Sequence, residues 1–214
     1  WAYADALERT RRPGSAFARV ASGRERAVIA CHDARMPFEL GMHHSVSRGH
    51  ERATIQRPFG FIELPLPASV PHIVLANRKR SIVPTLGLGR GAARMDLEGE
   101  FAKTFRLIVP EGYQQDALYI FTPDLMARVL DLGSGAEIEL VSNRLYVYLP
   151  SGTRFDRAET MTAALTLAEE FHRRFAVRTA LYRDDEAGGL AARAGVSVGL
   201  RGQRLGGRGI SVFA

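Results

Sequence analysis

Hydrophobic and polar positions alternate along residues 17–77, which is the period of strands with one buried face. Clusters of turn residues divide this region into four predicted strands: AVIACH, PFELGMHHSV, ATIQRPFGFIELPLP and HIVLA. Prolines are expected to break the third strand from the fourth, because proline cannot donate a hydrogen bond to a central ladder. These prolines are Pro65, Pro67 and Pro71. The pattern therefore predicts an antiparallel meander.

The region from residue 97 to residue 149 carries the most consistent local signals in the chain. Alternation from Phe101 to Val109 predicts a strand, and the apolar run from Ala117 to Phe121 predicts a second short strand or an extended lead-in. A helix is predicted next, with Thr122 as its N-cap and a stop at Gly133, because threonine favours caps and glycine favours helix ends.

A β-hairpin is predicted directly after this helix. The runs EIELV and RLYVYL flank Ser142 and Asn143, which tolerate a tight turn. One face of the hairpin would carry Ile138, Leu140, Leu145, Val147 and Leu149. Tyr146 and Tyr148 would line the opposite face, where aromatic side chains are typical of half-buried strand packing.

The two ends of the chain have different sequence patterns. Residues 1–16 are typical of a short amphipathic helix or linker arm. A long amphipathic helix is predicted from Asp156 or Thr160 to about Phe175, with apolar residues at three- and four-residue steps and an ion pair between Glu170 and Arg174. Residues 184–214 are rich in glycine and arginine and carry little pattern.

Together these patterns predict an α+β fold with a mostly antiparallel sheet in two halves. The first half is a strand meander, and the second is a β-β-α-β-β unit followed by the amphipathic helix. The predicted divisions are an arm or linker at 1–16, a strand subdomain at 17–77, a loop at 78–96, an α+β unit at 97–183 and a tail at 184–214.

The composition offers few candidate residues for metal binding or redox chemistry. Hydrophobic residues make up 46% of the chain and charged residues 24%, which is typical of a globular protein rather than a disordered one. The single cysteine, Cys31, excludes an internal disulfide and fits a core position in a strand. His43, His44 and His50 lack the spacing of zinc ligands, so no metal site and no cofactor are predicted.

Charge is distributed unevenly. Residues 1–94 carry 15 basic and 7 acidic side chains, residues 95–149 carry 4 and 9, and residues 150–214 carry 10 and 7. Arginine outnumbers lysine 27 to 2, which indicates a GC-rich genome before it indicates a binding patch. Aromatic residues are not interleaved with the arginines, so nucleic-acid binding is not favoured. Basic flanks of this kind suit an anionic membrane surface.

The candidate contact residues for a ligand or a membrane surface come from the predicted loop and the tail. They are Arg78, Lys79, Arg80, Arg90, Arg201, Arg204 and Arg208. The glycines in this loop, in the run GLGRG, match no phosphate-binding motif and are typical of loop backbone. A small-ligand site between the two halves, near residues 78–96, is an alternative interpretation.

Carboxylates offer a second alternative, a hydrolase that uses acid–base chemistry. The candidates are Glu98, Glu100, Asp116 and Asp124, at the start of a predicted strand and around the helix entry. Helix capping and solvated turns explain the same positions without catalysis.

Several motifs in residues 27–150 resemble a family of bacterial proteins known only as a domain of unknown function. The central part is similar in LEGEF, in DALYIFTPDLMARVL and in the ending RLYVYLP. Upstream, GFIELPLPASVPHIVLANR follows the pattern G-x-I-x-L-P-x-P-x-x-x-P-H-x-V-L, although the basic loop after it departs from the family's acidic or asparagine position. The resemblance implies a cytoplasmic domain beside a membrane helix, and it brings no catalytic residues with it.

We therefore expect a non-enzymatic interaction or scaffold domain of a membrane-associated bacterial protein. It would lie in the cytoplasm or on the cytoplasmic side of the membrane, with a protein partner and an anionic lipid surface as its candidate contacts. The chain begins with Trp1 rather than Met, which leaves room for a membrane anchor outside this sequence.

Overall fold

The computed structural model describes residues 2–7, 23–33, 35–48, 54–79, 92–133 and 135–181. These residues form seven strands and four helices. The strands are β1 (Ala2–Leu7), β2 (Gly23–Cys31), β3 (Phe38–Arg48), β4 (Thr54–Asn77), β5 (Ala92–Met95), β6 (Phe105–Pro110) and β7 (Glu137–Leu149). The helices are α1 (Gly99–Thr104), α2 (Gln114–Ile120), α3 (Pro123–Gly133) and α4 (Ala158–Leu181).

All seven strands belong to one antiparallel sheet, which confirms the predicted α+β class. The order is β1-β2-β3-β4-β6-β5, and β7 pairs with the other edge of β4. The sheet is open, because β1 and β5 lie at opposite ends of this order. Strand β4 is therefore central: its first part pairs with β3, its last part pairs with β6, and β7 follows it along both parts.

The predicted break within β4 is wrong. Residues 54–77 form one strand of 24 residues that contains all three prolines. Its pairing with β7 shifts register between Pro65 and Val70 and again between Val70 and Ile73. Pro67 and Pro71 lie within these shifts, between paired positions, so they cost the ladder no hydrogen bond there and the strand bends instead of ending.

The predicted hairpin around Ser142 is also wrong, because its two arms pair with β4 and form one strand, β7. Ile138 lies opposite Leu75, and Leu149 lies opposite Gly60. The predicted division of side chains between the two faces is nevertheless confirmed. The aliphatic residues of both arms lie in the same hydrophobic core as the helices, and Tyr146 and Tyr148 lie in a separate core.

Strand β7 bends sharply at Ser142, whose φ of 54° is in the left-handed region. The hydroxyl of Tyr148 donates a hydrogen bond to the carboxylate of Glu139, nine residues earlier in the same strand. In a straight strand these residues would lie roughly 30 Å apart, which their side chains cannot span. The sheet therefore folds over the face that carries both side chains.

Two hydrophobic cores result, one on each face of the sheet. The larger core lies on the side of the helices, which contribute Phe101, Leu125, Phe171 and Phe175, and the turn between α2 and α3 adds Phe121. The smaller core lies inside the bend and joins side chains from both arms of β4 and β7. Its members are Val28, Phe59, Phe61, Val74, Ala76, Ile108, Val141, Tyr146 and Tyr148.

Three other predictions of local structure are corrected. Part of the predicted N-terminal helix is strand β1, which pairs with β2. The predicted strand at Ala117 falls largely in helix α2, where Ala117 and Ile120 are buried against the larger core. The last part of the predicted loop at 78–96 contains the edge strand β5. The first residues of the strand predicted from Phe101 to Val109 belong to helix α1, and the strand itself, β6, begins at Phe105.

The two long helices agree with their predictions. Helix α3 spans Pro123–Gly133, and α4 extends one and a half turns beyond the expected end, to Leu181. Phe175 and Thr179 are both fully buried near the end of α4, which explains why the helix continues. The predicted tail at 184–214 lies outside the described residues.

Gly60 tests the packing between the sheet and the loop before α4. A Cβ built on Gly60 would lie 3.2 Å from the Phe155 ring and 3.3 Å from the Leu149 Cβ. We expect Gly60→Ala to lower the free energy of unfolding by about 1–3 kcal/mol, because small-to-large changes in a packed core force shifts. Urea denaturation measures this change.

Gly135→Ala is the matched control, since its Cβ would approach only Pro150, at 3.9 Å. We expect the control to change stability by no more than about 0.5 kcal/mol. Equal stability of both variants would contradict the close approach at Gly60.

Candidate functional site

The candidate basic contact residues are only partly within the described structure. Arg78 already has partners: its Nε donates to the Phe105 carbonyl oxygen at 3.0 Å, and its Nη2 donates to Asp96 at 2.6 Å. Its guanidinium therefore ties the end of β4 to the start of β6. Lys79 is exposed, and its backbone N–H is fixed by the side chain of Asn77.

The other candidate contacts lie outside the described residues. They are Arg80, Arg90, Arg201, Arg204 and Arg208. The glycine run GLGRG lies within residues 80–91, which are outside the described residues, so the ligand site predicted near it stays a prediction.

The carboxylates considered for hydrolysis have local roles on the surface. Glu98 is exposed before α1, and Glu100 pairs with Lys103 at 2.5 Å with both side chains more than 70% exposed. Asp124 accepts from the Thr122 hydroxyl and pairs with Arg174 at 3.3 Å. The Thr122 hydrogen bond is the main reason that the pKa of Asp124 is lowered.

Asp116 lies in the first turn of α2, where a carboxylate suits the positive end of the helix dipole. Local hydrogen bonds and ion pairs therefore explain Glu100 and Asp124, and the helix dipole explains the position of Asp116. None of these contacts supports the hydrolase interpretation.

The histidine and cysteine side chains do not form a metal site in the part of the chain that the structure describes. No group of three His, Cys, Asp or Glu side chains is placed to hold an ion there. Cys31 is buried, as predicted for a strand core residue. His43 is also buried, with its ring 5.0 Å from the Phe59 ring, while His50 lies outside the described residues.

A buried polar cluster inside the bend was not predicted from the sequence. Glu139 of β7 is completely buried between His72 of β4 and Tyr148 of β7. The His72 Nε2 lies 2.7 Å from one carboxylate oxygen, and the Tyr148 hydroxyl donates to the other. We call His72, Glu139 and Tyr148 the inner cluster.

The strand register places the inner cluster. Ile73 pairs with Leu140, so His72 and Glu139 project from neighbouring strands on the same face. Tyr148 reaches this face from the other arm of β7, with its ring stacked on Tyr146 at 6.1 Å and edge-on to Phe59 at 5.7 Å. Tyr148 is therefore held by its strand and by aromatic packing, while His72 and Glu139 are positioned by the β4–β7 register.

A second buried carboxylate lies two residues before Glu139. Glu137 is completely buried and accepts a hydrogen bond of 2.8 Å from the backbone N–H of Asn77, at the end of β4. The Asn77 side chain in turn accepts from Lys79 N–H, so this pair fixes the chain where it leaves the sheet.

The burial of the inner cluster indicates that its side chains stabilise the fold. A carboxylate removed from water is stable only when hydrogen bonds and a cationic or donor partner replace its solvation. His72 and Tyr148 supply such donors to Glu139, and all three side chains are at most 4% exposed. In the described structure these hydrogen bonds connect β4 with both arms of β7.

The sequence carried a weak signal for this cluster. Glu137 and Glu139 alternate with Ile138 and Leu140 in EIELV, which is the ordinary pattern of a strand with one solvated face. The tyrosines on the same face in the run RLYVYL were the only hint that this face is buried too.

An arginine cluster joins α3 to α4 on the helical side. Glu170 accepts from Arg173 at 2.7 Å and from Arg174 at 2.6 Å, and Arg128 of α3 lies 3.4 Å away. The predicted pair between Glu170 and Arg174 is thus confirmed. The hydrogen bonds from Arg173 and Arg174 lower the pKa of Glu170 to about 2.

Comparison with known proteins finds a solved structure of similar fold but no matching family. No protein-family model matches the chain, and no curated protein matches it significantly. The chain is similar to the crystal structure of the mycobacterial trehalose monomycolate transport factor A, TtfA, with a TM-score of 0.54 at 10% sequence identity. The alignment covers 83% of this chain and 85% of TtfA. This likeness shows a shared fold.

No helix among the described residues is long and apolar enough to cross a membrane. The resemblance of residues 27–150 to a bacterial family stays a prediction.

Tyr148→Phe tests the inner cluster. We expect a loss of about 1–3 kcal/mol in the free energy of unfolding, because the variant leaves a buried carboxylate short of one hydrogen bond. Urea denaturation at neutral pH measures the loss. Tyr119→Phe is the control, since that ring is 43% exposed on α2, and it is expected to change little. Wild-type stability of Tyr148→Phe would show that Glu139 does not depend on the hydroxyl.

Glu170→Gln tests the arginine cluster through pH. A carboxyl whose pKa is lowered on folding stabilises the protein above its ordinary pKa, and this stability is lost as pH falls from about 4.5 through about 2. We expect the urea midpoint of the wild type to fall more steeply over that window than that of the variant. Glu169→Gln is the neighbouring control and should keep the wild-type slope.

Proposed function

We propose that this chain is a non-enzymatic interaction domain of a membrane-associated bacterial protein. The observation that carries the proposal is the shared fold with a transport factor over more than four-fifths of both chains. TtfA is named for its part in transport rather than for a reaction. A domain with this fold acts, on this proposal, by binding partners at a membrane.

The placement of the ionisable groups supports a binding role. The buried carboxylates Glu137 and Glu139 are engaged in holding β4 to β7, and the surface carboxylates Glu100 and Asp124 have local partners. These groups stabilise the fold in their observed positions. A catalytic role would require a titratable side chain that meets a substrate in an open cleft.

The charge of the chain supports a membrane surface as one contact. The net charge is +6, and the last 28 residues contain four arginines and no acidic residue. Each basic residue near an anionic bilayer contributes about 1 kcal/mol of attraction, which salt screens. On this proposal the tail arginines contact lipid headgroups while the folded domain binds a protein partner.

Binding to vesicles tests the membrane contact. We expect the wild type to co-sediment with vesicles of phosphatidylcholine and phosphatidylglycerol at low salt but not with phosphatidylcholine alone. Replacing Arg201, Arg204 and Arg208 together by Gln should weaken this binding by roughly tenfold or more. The reason is the loss of three attractive charges.

The control replaces three exposed arginines of the folded domain by Gln, namely Arg35, Arg154 and Arg157. This variant loses the same net charge and should bind nearly as the wild type does. Equal weakening in both variants would indicate a response to net charge alone. No binding of the wild type to anionic vesicles would remove the membrane contact from the proposal.

A further inference from the structure

Strand β5 lies at one end of the sheet, so only one of its two edges bonds to β6. The direction of the β6 hydrogen bonds follows from the end of β4, where the N–H of Arg78 donates to the Thr104 carbonyl oxygen at 2.9 Å. Hydrogen bonds alternate along an antiparallel ladder, so every second residue of β6 after Thr104 bonds towards β4. Leu107 and Val109 therefore bond towards β5.

The same alternation leaves backbone groups of β5 at its outer edge. Ala93 and Met95 lie opposite the two β6 residues that bond towards β5, so their own N–H and C=O groups bond to β6. The N–H and C=O groups of Ala92 and Arg94 consequently point away from the sheet. Within the described ranges these groups have no hydrogen-bond partner. An edge of this kind can accept a further strand.

Two arginine side chains lie beside this edge on one face of the sheet. Arg94 is exposed and lies opposite Ile108, and Arg106 is the neighbouring residue of β6 on the same face as Ile108. Arg94 and Arg106 are thus diagonal neighbours on adjacent strands, a spacing that long side chains can bridge. We call Arg94 and Arg106 the edge arginines.

The charge of the edge arginines is not neutralised by the part of the chain that the structure describes. Neither guanidinium makes an ion pair or a hydrogen bond there. Asp96, the carboxylate nearest to Arg94 in sequence, is paired with Arg78 at 2.6 Å. Glu98, at the N-cap of α1, pairs with neither of the edge arginines. The edge arginines are therefore available to an acidic partner.

We propose that β5 receives an extended acidic segment of a partner protein as an additional strand. The backbone of that segment bonds to Ala92 and Arg94, and its carboxylates face the edge arginines. Its alternate side chains face Met95, which is partly buried against the larger core, so a segment of alternating acidic and apolar residues fits this edge. The inference rests on the interaction role proposed above and gives the chemistry of the protein partner.

A second copy of the chain does not suit the same edge. Antiparallel pairing of β5 with the β5 strand of another copy would bring a second Arg94 beside the first, and like charges on neighbouring strands repel. The positive charge of this edge thus opposes self-association and favours a strand of opposite charge.

Binding of synthetic peptides to the full chain tests the proposal. The probe is the acetylated and amidated heptapeptide Thr-Val-Glu-Val-Glu-Val-Thr, and its controls carry Gln or Lys in place of both Glu residues. We expect the Glu peptide to bind at least roughly fivefold more tightly than the Gln peptide at low salt, and the Lys peptide to bind most weakly. Fluorescence anisotropy measures the three affinities.

Two variants separate the charge of the edge from its backbone. Arg94→Gln should lower the affinity for the Glu peptide roughly fivefold and leave that for the Gln peptide unchanged. Its matched control is Arg157→Gln, which removes an exposed arginine before α4 and should bind as the wild type does. Ala92→Pro removes an outward N–H that β6 does not use, so it should fold normally by circular dichroism and bind both peptides more weakly.

Amide hydrogen exchange locates the bound peptide. The Glu peptide should slow exchange at Ala92 and Arg94, whose N–H groups point outward, and change Ala93 and Met95 little. Equal affinity for the Glu and Gln peptides, wild-type affinity of Arg94→Gln, or protection confined to other strands would overturn the proposal. Absence of binding for all three peptides would also overturn it, while the membrane contact proposed above is tested separately by the vesicle assay.

Discussion

The pairing of β4 with β7 is the interaction on which the rest of the structure depends. These strands follow each other from Gly60 opposite Leu149 to Leu75 opposite Ile138, and they turn the bend together. Every other part of the sheet is attached to β4 at one side of that bend: β3 and its neighbours at the first arm, β6 and β5 at the second. Losing the β4–β7 ladder would therefore separate the two arms and open both cores.

The bend places a polar group at the centre of a hydrophobic enclosure. Glu139 is held by His72 of β4 and by Tyr148 from the far arm of its own strand. Both hydrogen bonds form only when the two arms lie close together. A purely aliphatic contact would tolerate a shift of the arms, whereas a buried carboxylate loses its partners if they separate. Charge inside the bend thus specifies one arrangement of the arms.

Local patterns predicted the fold class and many elements because propensity and period are properties of neighbouring residues. The helices at Pro123 and Ala158 and the two faces of β7 follow from such patterns. The continuity of β4 through Pro65 and the bend of β7 at Ser142 do not, since they depend on bulges and on a partner strand remote in sequence. The inner cluster was missed for the same reason: His72 and Glu139 meet only when β4 and β7 pair.

The separation of β4 and β7 in the chain has a consequence for how the molecule folds. Fifty-nine residues lie between the end of β4 at Asn77 and the start of β7 at Glu137, so the chain must close this long loop before the central ladder forms. The local pairing of β3 with β4 needs no such closure. During synthesis, the edge of β4 that pairs with β7 thus stays unpaired until β7 emerges, a period in which that edge is open to pairing with other chains.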